Sequence, residues 1–342
     1  MNHNLTDYSF AFPQELIAQE TAGKGKTKIL HCQKNGGDLQ VLESRQITAL
    51  FNAGDCIVVN NTQVIPARLF GKTKYGGKVE IFLLKELEPA ADNTARWQAW
   101  VRPGKALENG KEVFISKIKC KSDGLAVNFS ISNAEFHSFL AEQGQVPLPP
   151  YIKRDALQSD KSSYQTIFAK YAGAVAAPTA SLHFSESMVE ELKSKGVRFA
   201  EITLHVGPGT FENIKESEDF RKHKMHSEEY ELSEENANII NECKKNGGRI
   251  ICVGTTSTRV LETVANTHGY VNAGKGITNI FIYPGFEFKI TNALLTNFHW
   301  PKSSLILLVS AFYGRENTLN AYKYAVENKM KLFSYGDGML VL

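Results

Sequence analysis

The sequence predicts an α/β protein: a mixed α/β main domain into which a small antiparallel β-barrel is inserted. Three observations carry that prediction. RIICV (249–253) is a buried strand that runs through Gly254 and three hydroxyl residues into a helix, TRVLETVAN, the texture of an α/β layer. Residues 188–195 read as a helix stopped by Gly196, and 197–206 as a strand rich in β-branched and aromatic residues. From residue 69 onward short alternating segments (KVEIFLL, RWQAWVRPG, KEVFISKIKC, LAVNFS) are separated by Gly, Asn and Asp turns without helical period, which reads as a small barrel. The expected division is therefore 1–68 with 152–342 as one discontinuous α/β catalytic domain, and 69–151 as the inserted barrel domain.

The remaining elements follow in order. Pro13 at a first helical position predicts a short helix over 14–20. AGKGKTK (22–28) is not a P-loop: that motif needs a glycine where Glu20 stands, and a helix, not a strand, precedes it, so a solvated basic loop is expected. Residues 43–51 read as a helix, 53–55 as a turn and 56–60 as a buried strand; Arg68 emerges from a strand begun by Pro66. Helices are expected at 133–143 and 164–171, a proline-rich crossing at 146–154, and a strand at 280–283 ended by Pro284-Gly285.

Composition sets the class. With 342 residues, 42% hydrophobic and 22% charged, the chain has room for two domains and a buried core. A net charge of +3 permits an anionic partner such as RNA without demanding one. Five scattered cysteines, with no C-x-x-C pair, indicate neither a zinc knuckle nor a disulfide framework, and with no signal peptide a cytoplasmic location is expected. The longest apolar run, 305–312, is too short to span a bilayer.

Chemistry concentrates between residues 173 and 230. His183 precedes a helix whose Ser187–Glu190 pair suggests a capping box, His205 ends a strand before Gly207-Pro208-Gly209, and His226 adjoins Ser227 and Glu228. His299 stands near Asn297. Imidazoles titrate near neutrality, so all four are candidate acid–base groups, although each alone is as readily a structural residue. Thr179 and Thr210 supply hydroxyls beside them. Gly254-Thr255-Thr256-Ser257, at a strand-to-helix turn, forms an anion site from backbone N–H groups, with Arg259 beyond it. His223 and His226 share a metal-ligand spacing, but no further ligand set appears. Ser181 lacks a nucleophile elbow. Gly207 and Gly209 are too few for a dinucleotide fingerprint. Asp337, in SYGDG, is either a general base or, more simply, a turn carboxylate.

The motifs VVNNTQVIPARLFG, GGKVEIFLL, VRPGK, LPPYIKR, YQTIFAKYAGAVAAPTASLHF, AEITLHVGPGTF, HKMHSEEYE, VGTTSTRVLE, FIYPGFEF, TNFHWPKSSLILLVSAFYG and FSYGDGML stand in order along nearly the whole chain. Together they closely resemble the S-adenosylmethionine:tRNA ribosyltransferase-isomerases of queuosine biosynthesis. The resemblance implies an α/β domain with an inserted β-barrel. It implies that the ribosyl part of S-adenosylmethionine moves onto the aminomethyl group of 7-aminomethyl-7-deazaguanine at the tRNA wobble position, becoming an epoxycyclopentanediol while adenine and methionine leave. S-adenosylmethionine is then a consumed cosubstrate, tRNA the partner, and neither a metal nor a membrane is expected; a monomer is expected. The chain departs from the family at AGKGKTKIL, Gln63, Ser181, Pro208, Trp300 and Gly338.

That reaction needs a base for a proton acidified by the sulfonium and an acid for departing adenine. His183 and His205 are the first expectation, with His226 or His299 as partner. The methionine carboxylate is expected at Thr255–Ser257, Arg259 or Arg68, and a base is expected to stack on Phe184, Phe211 or Phe298. Two other readings compete: an S-adenosylmethionine enzyme with a different acceptor, and a non-catalytic tRNA-binding paralogue.

Overall fold

The computed structural model describes residues 3–207, 209, 214 and 219–342. Its first half holds β1 (Lys28–Cys32), β2 (Gln40–Glu43), β3 (Cys56–Asn60) and β4 (Thr62–Val64). Barrel strands follow: β5 (Arg68–Thr73), β6 (Lys78–Glu86), β7 (Thr94–Arg102), β8 (Val113–Ile115), β9 (Ile118–Ser122) and β10 (Val127–Ser132). Beyond them come α1 (Asn133–Gln143), α2 (Asp160–Ser163), β11 (Tyr171–Ala174), α3 (Glu186–Ser194), β12 (Arg198–Leu204), β13 (Glu228–Leu232) and α4 (Glu234–Lys245). The chain continues through β14 (Ile250–Val253), α5 (Gly254–Val264), β15 (Gly274–Thr278), β16 (Ala293–Asn297), α6 (Ser304–Tyr313), α7 (Arg315–Glu327) and β17 (Gly338–Val341).

Nine strands form a mixed sheet in the order β15-β13-β12-β3-β14-β16-β17-β1-β2. Its centre, β12-β3-β14-β16, is parallel, so the C-terminal ends of these strands lie along one edge, where open α/β sheets bind ligands. β3, β14 and β16 are buried at every residue, as strands covered on both faces must be. The six strands β5–β10 close into an antiparallel barrel around Leu69, Val79, Ile81, Trp97, Val113 and Phe129. A mixed α/β fold with a closed barrel is thus what the chain adopts, and α1 forms over the predicted residues with Ser132 and Glu135 as its capping box.

Several local expectations fail for tertiary reasons. Residues 14–20 make only a 3-10 turn, Gln14–Leu16, because Leu16 and Ala18 pair through their backbones with Leu332 and draw the segment out straight. Residues 164–171 are not helical: the Gln165 amide bonds both the N–H and the C=O of Val64, and the chain extends into β11. α3 is capped by Ser185, not Ser187, its hydroxyl accepting from the Met188 N–H. Of residues 43–51, Ser44–Leu50 wind as a 3-10 helix, and 280–283 form no strand. α5 starts at Gly254, four residues earlier than expected, which needs the positive φ of 84° that glycine supplies.

Candidate active site

A cavity of about 380 Å³ opens at the C-terminal edge of the central strands, within the ~300–1,000 Å³ usual for small-molecule sites. β14 delivers Gly254, Thr255 and Thr256 to it; β16 delivers Asn297, and the turn after it Phe298, His299 and Trp300. Thr179, Gly209, His223, His226, Glu228 and Arg259 line it as well, and Lys153 adds a cation.

The start of α5 has the geometry that can receive an anion. Among the described residues no side chain caps its first N–H groups, which leaves them and the helix dipole at the cavity. Asn60, fully buried, fixes this turn by donating to the Thr256 hydroxyl at 3.3 Å and to the Leu204 carbonyl at 2.9 Å. Ser257 does not take part: its hydroxyl donates back to the Val253 carbonyl at 2.9 Å. One turn further along α5, buried Arg259 pairs with buried Glu228 through Nη1, while Nη2 is buried without a hydrogen-bond partner among the described residues. A desolvated guanidinium N–H left open at a cavity wall is a site for an anionic or carbonyl oxygen. Glu228 also accepts the Gly207 N–H at 3.2 Å, tying the end of the β12 segment to β13.

Of the four histidines, two line the cavity. His226 is exposed there, and its ring lies so close to Gly209 that a Cβ at 209 would sit 2.2 Å from Cδ2. His299 shares a 2.8 Å hydrogen bond with the Thr296 hydroxyl, and burial lowers its pKa to about 3, so it is neutral at pH 7. His183 stands one layer behind. It is 1% exposed, bonded to Thr27 at 2.8 Å and Asn297 at 3.3 Å, and burial lowers it to about 4. His205 is elsewhere: it shares a 2.8 Å hydrogen bond with Thr62 and lines a separate groove with Thr203, Glu229, Glu231 and Lys275. Neither His183 nor His205 therefore meets a molecule in the cavity directly, contrary to the first expectation.

Other expectations need relocating. Arg68 lies on β5 of the barrel, paired with Glu80 at 2.7 Å, because Pro66 and β5 carry it away from the sheet edge. Phe184 is fully buried in a cluster with Phe168 and Phe199 and offers no face to a ligand. Asp337 accepts the backbone N–H groups of Lys28 and Lys331 at 2.8 and 2.7 Å; it clamps the terminal turn. Ser227, which is exposed, and Gly207, which is half-buried, are not among the residues that line the cavity. Phe298 lines the cavity, but its ring packs edge-on against Tyr322 at 5.2 Å. Thr210 and Phe211 lie outside the described residues. Among the described residues no cluster of His, Cys, Asp or Glu gathers as a metal site.

The aromatic wall was missed. Tyr151 stacks on Trp300 with centroids 6.0 Å apart and planes 10° apart, and Phe333 packs 4.9 Å from Trp300. The Tyr151 hydroxyl meets the Ser334 hydroxyl at 2.5 Å. These residues come from the proline-rich crossing, the β16 turn and the chain end, so only their aromaticity, not their spacing, was available as a signal.

A family model described as queuosine biosynthesis protein matches residues 5–341. The chain belongs to this family. A protein of Caldanaerobacter subterraneus subsp. tengcongensis named S-adenosylmethionine:tRNA ribosyltransferase-isomerase is 44% identical over 346 residues, covering 98% of this chain and 99% of that one. One of the same name from a Thermoanaerobacter species is 45% identical over 347 residues, with the same coverage of 98% and 99%. A crystal structure of S-adenosylmethionine tRNA ribosyltransferase from Thermotoga maritima shares 30% identity and a TM-score of 0.56, covering 98% of this chain and 100% of that one. As a member of the S-adenosylmethionine:tRNA ribosyltransferase-isomerase family the chain is an enzyme of queuosine biosynthesis, a transferase and isomerase. No helix among the described residues is long and apolar enough to cross a membrane.

Proposed function

We propose that the cavity binds S-adenosylmethionine and that the enzyme moves its ribosyl unit onto 7-aminomethyl-7-deazaguanine at the tRNA wobble position, giving epoxyqueuosine-tRNA, adenine and methionine. The observation that carries this reading is the pairing, in one cavity, of an uncapped helix start and an open Arg259 N–H with a wall of stacked aromatics. The first pair suits the methionine carboxylate; the aromatic wall suits adenine.

The residues present then divide the work. The sulfonium acidifies the adjacent methylene, whose proton is taken by a base, and adenine leaves as a proton reaches one of its ring nitrogens. His226, the most exposed of the imidazoles that line the cavity, is proposed as the proton carrier. His299, held neutral, orients rather than ionises. Asn297 and Thr179, joined at 2.8 Å, present a fixed amide and hydroxyl to the ribosyl hydroxyls. The base that takes the methylene proton and the acid that serves adenine are one residue acting twice in this reading: His226 returns the proton it has gained.

Incubation with S-adenosylmethionine and precursor-bearing tRNA, with chromatography of the small molecules, tests it. Adenine and methionine are expected in equal amounts and only when the precursor base is present; methylated tRNA with S-adenosylhomocysteine would refute it.

A further inference from the structure

The outer face of the barrel carries a feature that the cavity does not explain. On β5, β6 and β7 the inward side chains fill the barrel, and the outward ones include Arg68, Phe70, Lys72, Lys78, Phe82, Trp100 and Arg102 around a single carboxylate, Glu80. Cross-strand register sets Arg68 opposite Phe82 and Phe82 opposite Trp100. Phe70, beside Arg68 on the same face, is 49% exposed and Trp100 39% exposed. Phe82 stacks on Trp100 with centroids 5.8 Å apart, and the Arg68 guanidinium lies over Phe70 at 5.8 Å. Lys72, Lys78 and Arg102 edge this face, exposed and without a carboxylate partner among the described residues; Glu80 is already engaged by Arg68. Aromatics grouped on one exposed face mark an interaction site more often than aromatics scattered singly.

We propose that this β5–β6–β7 face binds unpaired nucleotides of the tRNA substrate, bases stacking on Phe70 and Trp100 and phosphates meeting Lys72, Lys78 and Arg102. The proposal rests on the reading of the enzyme as tRNA-modifying and adds where the RNA is held. Aromatic rings interleaved with cations on a barrel sheet are the arrangement that single-stranded nucleic acid requires: every base has a face to stack, and every phosphate a charge to neutralise. An acidic peptide would use the cations but leave the rings uncovered.

Fluorescence anisotropy with labelled precursor tRNA tests the face. Phe70→Ala/Trp100→Ala is expected to weaken binding ~10-fold or more, and Lys72→Glu/Arg102→Glu to weaken it further and flatten its salt dependence, with S-adenosylmethionine binding retained in both. The charge-reversed pair sits on exposed positions, so it remains informative if the aromatic pair unfolds. Ultraviolet cross-links to tRNA should map to the Phe70 and Trp100 peptides. Wild-type tRNA affinity in both variants, with cross-links elsewhere, overturns the barrel face and leaves the proposed function standing. Failure of the wild type to bind tRNA overturns both. Sedimentation with phosphatidylserine–phosphatidylcholine vesicles, lost in the variants while RNA binding persists, would assign the face to lipid and overturn the proposal.

Discussion

Asn297 donates from Nδ2 to Nε2 of His183 across 3.3 Å, which makes that ring nitrogen an acceptor and leaves Nδ1–H to meet the Thr27 hydroxyl at 2.8 Å. The same amide also donates to the Phe333 carbonyl at 3.2 Å and accepts from Thr179 at 2.8 Å. A buried neutral imidazole thus holds the orientation of an amide that faces the cavity. In the proposed reaction His183 is therefore a positioning residue, and the space around it is full: a Cβ on Gly338 would come within 2.6 Å of Nε2. His183→Ala should cost about 3 kcal/mol of stability through the cavity and the unpaired donors, and should lower kcat by misorienting Asn297. Gly338→Ala should lower kcat in the same way, with smaller loss of stability. Unchanged melting and turnover in His183→Ala would remove this role.

Burial holds His183 at about 4 against an ordinary 6.5. Between these values the unfolded chain binds a proton that the folded chain refuses, so stability falls as pH drops through the window and is level above it, by roughly 3 kcal/mol for this residue alone. His299, lowered to about 3, adds to the same slope. His183→Gln, which cannot titrate, should lose less melting temperature than the wild type between about pH 7 and about pH 4.5. Parallel curves would show that His183 is not protonated on unfolding.

Glu228 and Arg259 form a pair in which both side chains are 8% exposed. Removing either partner strands a buried charge, and Arg259→Met should destabilise by about 3–5 kcal/mol. The double variant Glu228→Leu/Arg259→Met should recover most of that stability in thermal melts while S-adenosylmethionine binding stays lost. Retained binding in a folded double variant would show that Arg259 does not hold the carboxylate.

His226 is exposed, so His226→Ala should melt within about 0.5 kcal/mol of the wild type while adenine release falls on the order of 100-fold. Gly209→Ala should reproduce part of that loss, because its methyl occupies the space of the imidazole. Full turnover in His226→Ala would pass the proton-carrying role to another group.

Trp300→Ala should weaken S-adenosylmethionine binding about tenfold if adenine stacks there, the usual scale for one base on one ring, and Trp300→Phe should keep most of the affinity. Titration calorimetry reads both. Equal affinities would move adenine off this wall.

Much of the fold was legible because local chemistry and tertiary need agree there. The β3 and β14 runs are apolar at every position because both sheet faces are covered, and the barrel strands alternate because only one face is. The segments that misled are those where a distant partner overrides local preference, as Leu332 does at residues 16–18 and Val64 does at Gln165. Thr255, Thr256 and Arg259, which line the cavity, stood out in the sequence at a strand-glycine-helix turn. The histidines were recognisable as a set, but their depth was not: alternation along a strand says which residues share a face, not which face a cavity adjoins. Tyr151, Trp300 and Phe333 meet only through the fold.

Mass spectrometry of nucleosides from precursor-bearing tRNA, digested after incubation with S-adenosylmethionine, tests the central claim most directly. The account predicts that 7-aminomethyl-7-deazaguanosine disappears and epoxyqueuosine appears in step with adenine and methionine. Release of adenine with the tRNA base unchanged, or consumption of S-adenosylmethionine with only a methyl group gained, would contradict it.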